Sequence, residues 1–160
     1  LKRLELQDEK FVARSFELLN KTNQFNTTGK RWAMVDFTAY VAANEVYFYE
    51  VSDRFTQHGL VGVMLINEAC IEQWVMSCRV VGLDVEYGVL NLAISYLQQK
   101  FPSRRVVARL QNTDKNLLCR AIFGDCGFER TTDDSLWQLV DFKPPGYQGA
   151  FEFLNPATKD

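Results

Sequence analysis

Apolar positions recur at three- and four-residue spacing from Asp8 to Leu19, at Phe11, Val12, Ser15, Phe16, Leu18 and Leu19, which predicts an amphipathic helix. The amide- and hydroxyl-rich run Asn20 to Thr28, closed by Gly29, then predicts a loop, because such side chains compete with the backbone for hydrogen bonds. A second helix is expected over Ala33 to Ala43, with Phe37, Tyr40 and Val41 on its apolar face. From Val46 the pattern shortens. Val46–Val51 is aromatic and β-branched, Leu60–Ile66 is continuously apolar, and Cys70–Cys78 follows after the Asn67-Glu68 turn. These are read as three antiparallel strands, with Gln57-His58-Gly59 as a turn and His58 exposed in it. Helical spacing returns at Val85–Leu97 and is closed off by Pro102. Arg105–Leu110 is expected as a strand, Asn116–Ile122 as a short helix and Leu136–Phe142 as a closing strand, whereas the tail from Pro144 has no clear period. A meander followed by strand–helix–strand predicts an α+β fold whose mixed central sheet is flanked by helices.

Composition narrows the classes. The 160 residues are 47% hydrophobic and 24% charged, which suits one globular domain with a sizeable core. A net charge of −2 leaves no basic stripe for a nucleic acid, and no apolar run reaches the ~18 residues that span a bilayer. Cys70, Cys78, Cys119 and Cys126 form no C-x-x-C pair, and His58 is the one histidine, so no zinc set is expected. Reduced thiols and a cytoplasmic setting are the expectation.

Arg79-Val80-Val81-Gly82-Leu83-Asp84 lies between the third strand and the long helix. It resembles the R-x-x-G-x-G/A loop of the GNAT acyltransferases (the acyl-CoA N-acyltransferase fold). In that family the loop's backbone N–H groups hold the pyrophosphate of acetyl-CoA, and a strand-to-helix loop does aim unpaired donors and a helix dipole at an anion. Asn116, Cys119, Phe123, Gly127 and Phe128 fit the spacing N-x-x-A-x-x-x-Y-x-x-x-G-F that follows in the same family. Three further segments, Leu19–Asn26, Asp53–Phe55 with Gly59–Val63, and Met76–Gly82, resemble the C-terminal region of FkbH-like proteins.

The resemblance implies a single GNAT-like domain over 1–143, a separate tail over 144–160, and a HAD-like phosphatase-type domain preceding it in the same chain. It implies Arg79, Val81, Gly82, Asp84 and Asn116 as the binding residues for CoA or a phosphopantetheine thioester. Cys78 is the candidate catalytic residue, placed where the thioester carbonyl sits and beside a cation and a helix N-terminus that favour a thiolate. The expected activity is transfer of an acyl or glyceryl group to a carrier-protein or CoA thiol in polyketide-type biosynthesis, with an acyl carrier protein as partner. The alternative is a non-catalytic module that docks that carrier or braces the phosphatase-like half. Two positions depart from the family pattern. Asp84 stands where a second glycine or alanine belongs and could cap the following helix, and Phe123 replaces a tyrosine that often serves as general acid.

Overall fold

A computed structural model describes residues 1–52 and 56–143. Asp53–Phe55, named above in the second resembling segment, and the tail over 144–160 lie outside the described residues. In chain order the elements are β1 (Lys2–Arg3), α1 (Glu9–Lys21), α2 (Met34–Ala43), β2 (Glu45–Ser52), β3 (Gln57–Asn67), β4 (Cys70–Met76), α3 (Val85–Lys100), β5 (Val107–Arg109), α4 (Ile122–Asp125), β6 (Phe128–Arg130) and β7 (Leu136–Leu139). The strands form one mixed seven-stranded sheet in the order β1-β2-β3-β4-β5-β7-β6, so the molecule is α+β with helices against its sheet.

The central strand β3 explains the layering. Its side chains go to both layers, the alternation shifting by one at the bulge beside Val61: Leu60, Val63 and Leu65 join the core of α1 and α2, whereas Val61, Met64 and Ile66 join that of α3 and α4. A strand buried on both faces reads as a continuous apolar run, which is how Leu60–Ile66 reads. Among the described residues no helix is long and apolar enough to cross a membrane.

Four expectations need correction. Gln57-His58-Gly59 is not a turn: it opens β3 and pairs with β2, leaving His58 half-buried in a strand. The ladder absorbs the turn-like residues as a bulge, with Val51 opposite Gly59 and Ser52 opposite Gln57, and Gly59 takes the positive φ of +65°. The third strand stops at Met76, and Cys78–Val80 forms a 3₁₀ turn beyond it. The expected helix at Asn116–Ile122 divides into a 3₁₀ turn, Leu117–Cys119, and α4. The closing strand ends at Leu139, and its partner β6 was not legible because three residues are too few to show a period.

Candidate functional site

Strands β4 and β5 are parallel, but they pair only at Cys70–Val107 and Ile71–Ala108 and then diverge. The gap is not open. Phe25-Asn26-Thr27, from the amide-rich loop, lies along the free edge of β4, with Asn26 opposite Val75. The Thr27 N–H donates to the Trp74 carbonyl at 3.0 Å and the Met76 N–H to the Phe25 carbonyl at 3.0 Å. On the far side the Gln111 N–H donates to the Thr27 carbonyl at 2.8 Å, so the segment links β4 to the chain just beyond β5. The Phe25 ring, 1% exposed, meets the Trp74 ring edge-on at 4.9 Å.

Side chains lock the insert. Gln73 is buried; its Nε2 donates to Asn26 Oδ1 at 2.9 Å and to the Lys30 carbonyl at 3.0 Å, and its Oε1 accepts from Trp32 Nε1 at 2.7 Å. Asn116 is fully buried. Its Nδ2 donates to the carbonyls of Asn26 at 3.0 Å and Gln111 at 2.8 Å, while Oδ1 accepts from the Thr113 N–H at 2.8 Å. The sequence assigned Asn116 to a cofactor; the fold instead uses both ends of its amide to hold the insert. Buried polar groups with every partner in place specify one arrangement, and this network does so here.

The residues from Cys78 to Asp84 do come together, at the C-terminal end of β4. The Ser77 N–H donates to the Val61 carbonyl at 2.7 Å and anchors the turn. Val80 is buried, Val81 is half-buried against the core, and Cys78, Arg79 and Leu83 are exposed. The Arg79 Nε donates to Ser77 Oγ at 3.3 Å. Gly82 has φ +83° and Asp84 has φ +59°, so two left-handed residues turn the chain into α3.

Asp84 does not cap the helix with its side chain, contrary to the expectation. In the left-handed conformation its carboxylate is not directed at the first-turn amides. Glu86 takes that place: its Oε1 accepts from the Gly82 N–H at 3.4 Å, and its Oε2 is buried without a partner. Glu86 is only 8% exposed. Burial lifts its carboxyl above the ordinary glutamate range and Asp84's charge adds to this, against the amides of Glu86 and Gly82. Sequence reasoning passed over Glu86, although an acidic residue in a first helical turn is the usual signal of such a contact.

Two predictions arise at this loop. A left-handed aspartate is strained relative to glycine, so Asp84→Gly is expected to leave thermal stability unchanged or raise it by up to about 1 kcal/mol, despite glycine's entropy. A clear loss on melting would mean that the Asp84 side chain has a structural task. A raised folded pKa means stability that is present at low pH and lost as pH rises through it. Glu86→Gln is therefore expected to raise the urea midpoint at pH 7 and to leave it unaltered below about pH 4, where the wild-type carboxyl is protonated as well.

The cysteines divide by accessibility. Cys78 is exposed, Cys70 is half-buried, and Cys119 and Cys126 are buried. Burial pushes the thiol of Cys119 up to about 11 and those of Cys70 and Cys126 up to about 12, with Glu72 and Asp125 adding to the last two. Phe123 is fully buried, with its ring centroid 5.2 Å from that of Phe128, and supplies no hydroxyl. Two clefts formed by described residues lie elsewhere. One, about 560 Å³, is lined by Gln98, Pro102 and Val106 among others, and one, about 440 Å³, by Thr28–Lys30, Glu72, Arg109 and Gln111. Neither is lined by a residue of the Cys78–Asp84 loop.

Compared with known protein families and with curated proteins, the chain matches none.

Proposed function

We propose that this is a GNAT-like domain of the FkbH-like kind. It docks a phosphopantetheine-bearing acyl carrier protein, next to a HAD-like domain of the same chain, and holds no CoA thioester within its own sheet. The filled gap between β4 and β5 carries this reading. A thioester with its carbonyl at the end of β4 and its phosphates on the following loop must lay its pantetheine arm along the free edge of β4. Phe25-Asn26-Thr27 already takes the Trp74 carbonyl and the Met76 N–H on that edge. Glu86 already takes the Gly82 N–H that an anion would need, and Asp84 adds a negative charge beside it. At an effective dielectric of ~20, a carboxylate ~4 Å from a phosphate opposes it by about 4 kcal/mol per charge pair.

A second reading, acyl transfer through Cys78, is favoured by the exposure of that thiol beside Arg79. The thiolate would attack the carrier's thioester carbonyl, release the pantetheine thiolate and hold the acyl group until an acceptor thiol takes it.

Calorimetry separates the two readings. Docking requires apo- and holo-carrier protein to bind alike, with CoA and phosphopantetheine not binding to the wild type. Transfer requires the holo or acylated carrier to bind more tightly, and a label to pass through Cys78. If neither form of the carrier binds, docking is wrong. If CoA binds wild type and gains affinity in Asp84→Gly, the loop is an anion site and the gap must open. Alkylation at neutral pH with peptide mapping is expected to label Cys78 ahead of Cys70, with Cys119 and Cys126 last. Protection of Cys78 by an acylated carrier, but not by the apo form, would favour transfer.

A further inference from the structure

We infer that the cleft beside Arg109 is a binding site for a small monocarboxylate. Ala108 is fully buried in the core beneath α3, so strand alternation puts Arg109 on the opposite face, towards the loop that precedes α2. Its Nε donates to Glu72 Oε2 at 2.9 Å. The nearest other carboxylate, Asp133, is 3.9 Å from Nη1, beyond hydrogen-bond distance. Glu72 thus orients the guanidinium through one edge and leaves the two terminal nitrogens as a fork. Parallel N–H donors of that kind match the two oxygens of a carboxylate.

The facing wall is Thr28-Gly29-Lys30. Asn26 Oδ1 accepts from the Gly29 N–H at 2.9 Å, and the Lys30 carbonyl accepts from Gln73 Nε2 at 3.0 Å, so this wall is held by the buried network. The Lys30 ammonium stands 3.5 Å from the centre of the Trp32 ring, so the second cation of this wall is held in one place. Gln111 lines the same cleft. A volume of about 440 Å³ suits a small metabolite. Lys30 and Arg109 are balanced by Glu72 and the neighbouring Asp133, so the cleft has no surplus of positive charge for a multiply charged anion, and recognition rests on the Arg109 fork. Asp133 near Nη1 disfavours a dianion such as phosphate. The site shares no lining residue with the Cys78–Asp84 loop and stands whether or not a carrier protein docks there.

The test is a titration of the ¹⁵N-labelled 160-residue chain with sodium lactate, with lactamide, sodium phosphate and sodium chloride as comparisons. Lactate is expected to shift the amides of Gly29, Lys30 and Gln111 saturably, whereas lactamide leaves them in place. Arg109→Lys keeps the charge and loses the fork, and is expected to weaken binding about tenfold. Arg79→Ala should bind lactate as the wild type does. If Arg109→Lys fails to fold by its urea midpoint, Lys30→Gln serves instead, with an expected loss of about threefold. Three results would overturn the site: shifts that do not saturate, equal shifts with lactamide or chloride, or phosphate acting at lower concentration than lactate. An undiminished affinity in folded Arg109→Lys would do so as well.

Discussion

Asn116→Leu is expected to destabilise the domain by about 4 kcal/mol, because it removes three hydrogen bonds and leaves buried backbone groups without partners. The Asn26 and Gln111 carbonyls lose their amide donor, and the Thr113 N–H loses its acceptor. Water cannot readily replace them, since Asn26 and Asn116 are both at 0% exposure. Asn116→Asp separates shape from charge. Its carboxylate would face two carbonyls with nothing to donate, so it should be at least as harmful at pH 7. It should recover part of the loss in acid, where protonation restores one donor: a raised folded pKa gives stability that is lost as pH rises. Urea unfolding of the three proteins at two pH values measures this. A loss below about 1 kcal/mol for Asn116→Leu would mean that Phe25–Thr27 is held mainly by its strand bonds and by Phe25 packing. If the leucine variant stays folded and gains CoA binding, the insert is a gate and the docking reading yields to transfer.

Gly62→Ala is expected to remove at least about 3 kcal/mol through overpacking at the centre of the sheet. A Cβ at Gly62 would lie 1.9 Å from Tyr49 Cζ and 2.1 Å from its Oη. The tyrosine cannot step aside cheaply: it is 5% exposed, and its hydroxyl accepts from Trp74 Nε1 at 2.9 Å. Trp74 in turn packs on Phe25, so the strain would pass to the insert that closes the gap. A double-mutant cycle with Tyr49→Ala tests the cause. Tyr49→Ala makes a cavity and is damaging alone, but adding Gly62→Ala to it should cost little. An equal cost of Gly62→Ala in both backgrounds would remove the steric explanation.

Periodicity determined most of the elements, because each depends on which face of a helix or strand is apolar. The α1 and α2 segments, the continuous apolar run of β3 and the return of helical spacing at Val85 were all legible in this way. So was the parallel pairing of β4 with β5, which follows from a strand–helix–strand step. The candidate loop was legible too, since Cys78 to Asp84 are neighbours in the chain, and their grouping at one strand end needs no long-range information. What lies between β4 and β5 was not. Asn26 and Asn116 are 90 positions apart, and no local pattern says that an amide in a polar run will be buried against a distant carbonyl. The same run read as a loop; tertiary contacts with Gln73, Trp74 and Gln111 decided that it closes the sheet. Arg109 gave no signal either, because a lone arginine in a short strand becomes a candidate site only where Glu72 and Thr28–Lys30 fold around it. Local free energies, summed over a few residues, determine helices, strands and their loops; partners for buried polar groups come from anywhere in the chain, so only the folded structure decides them.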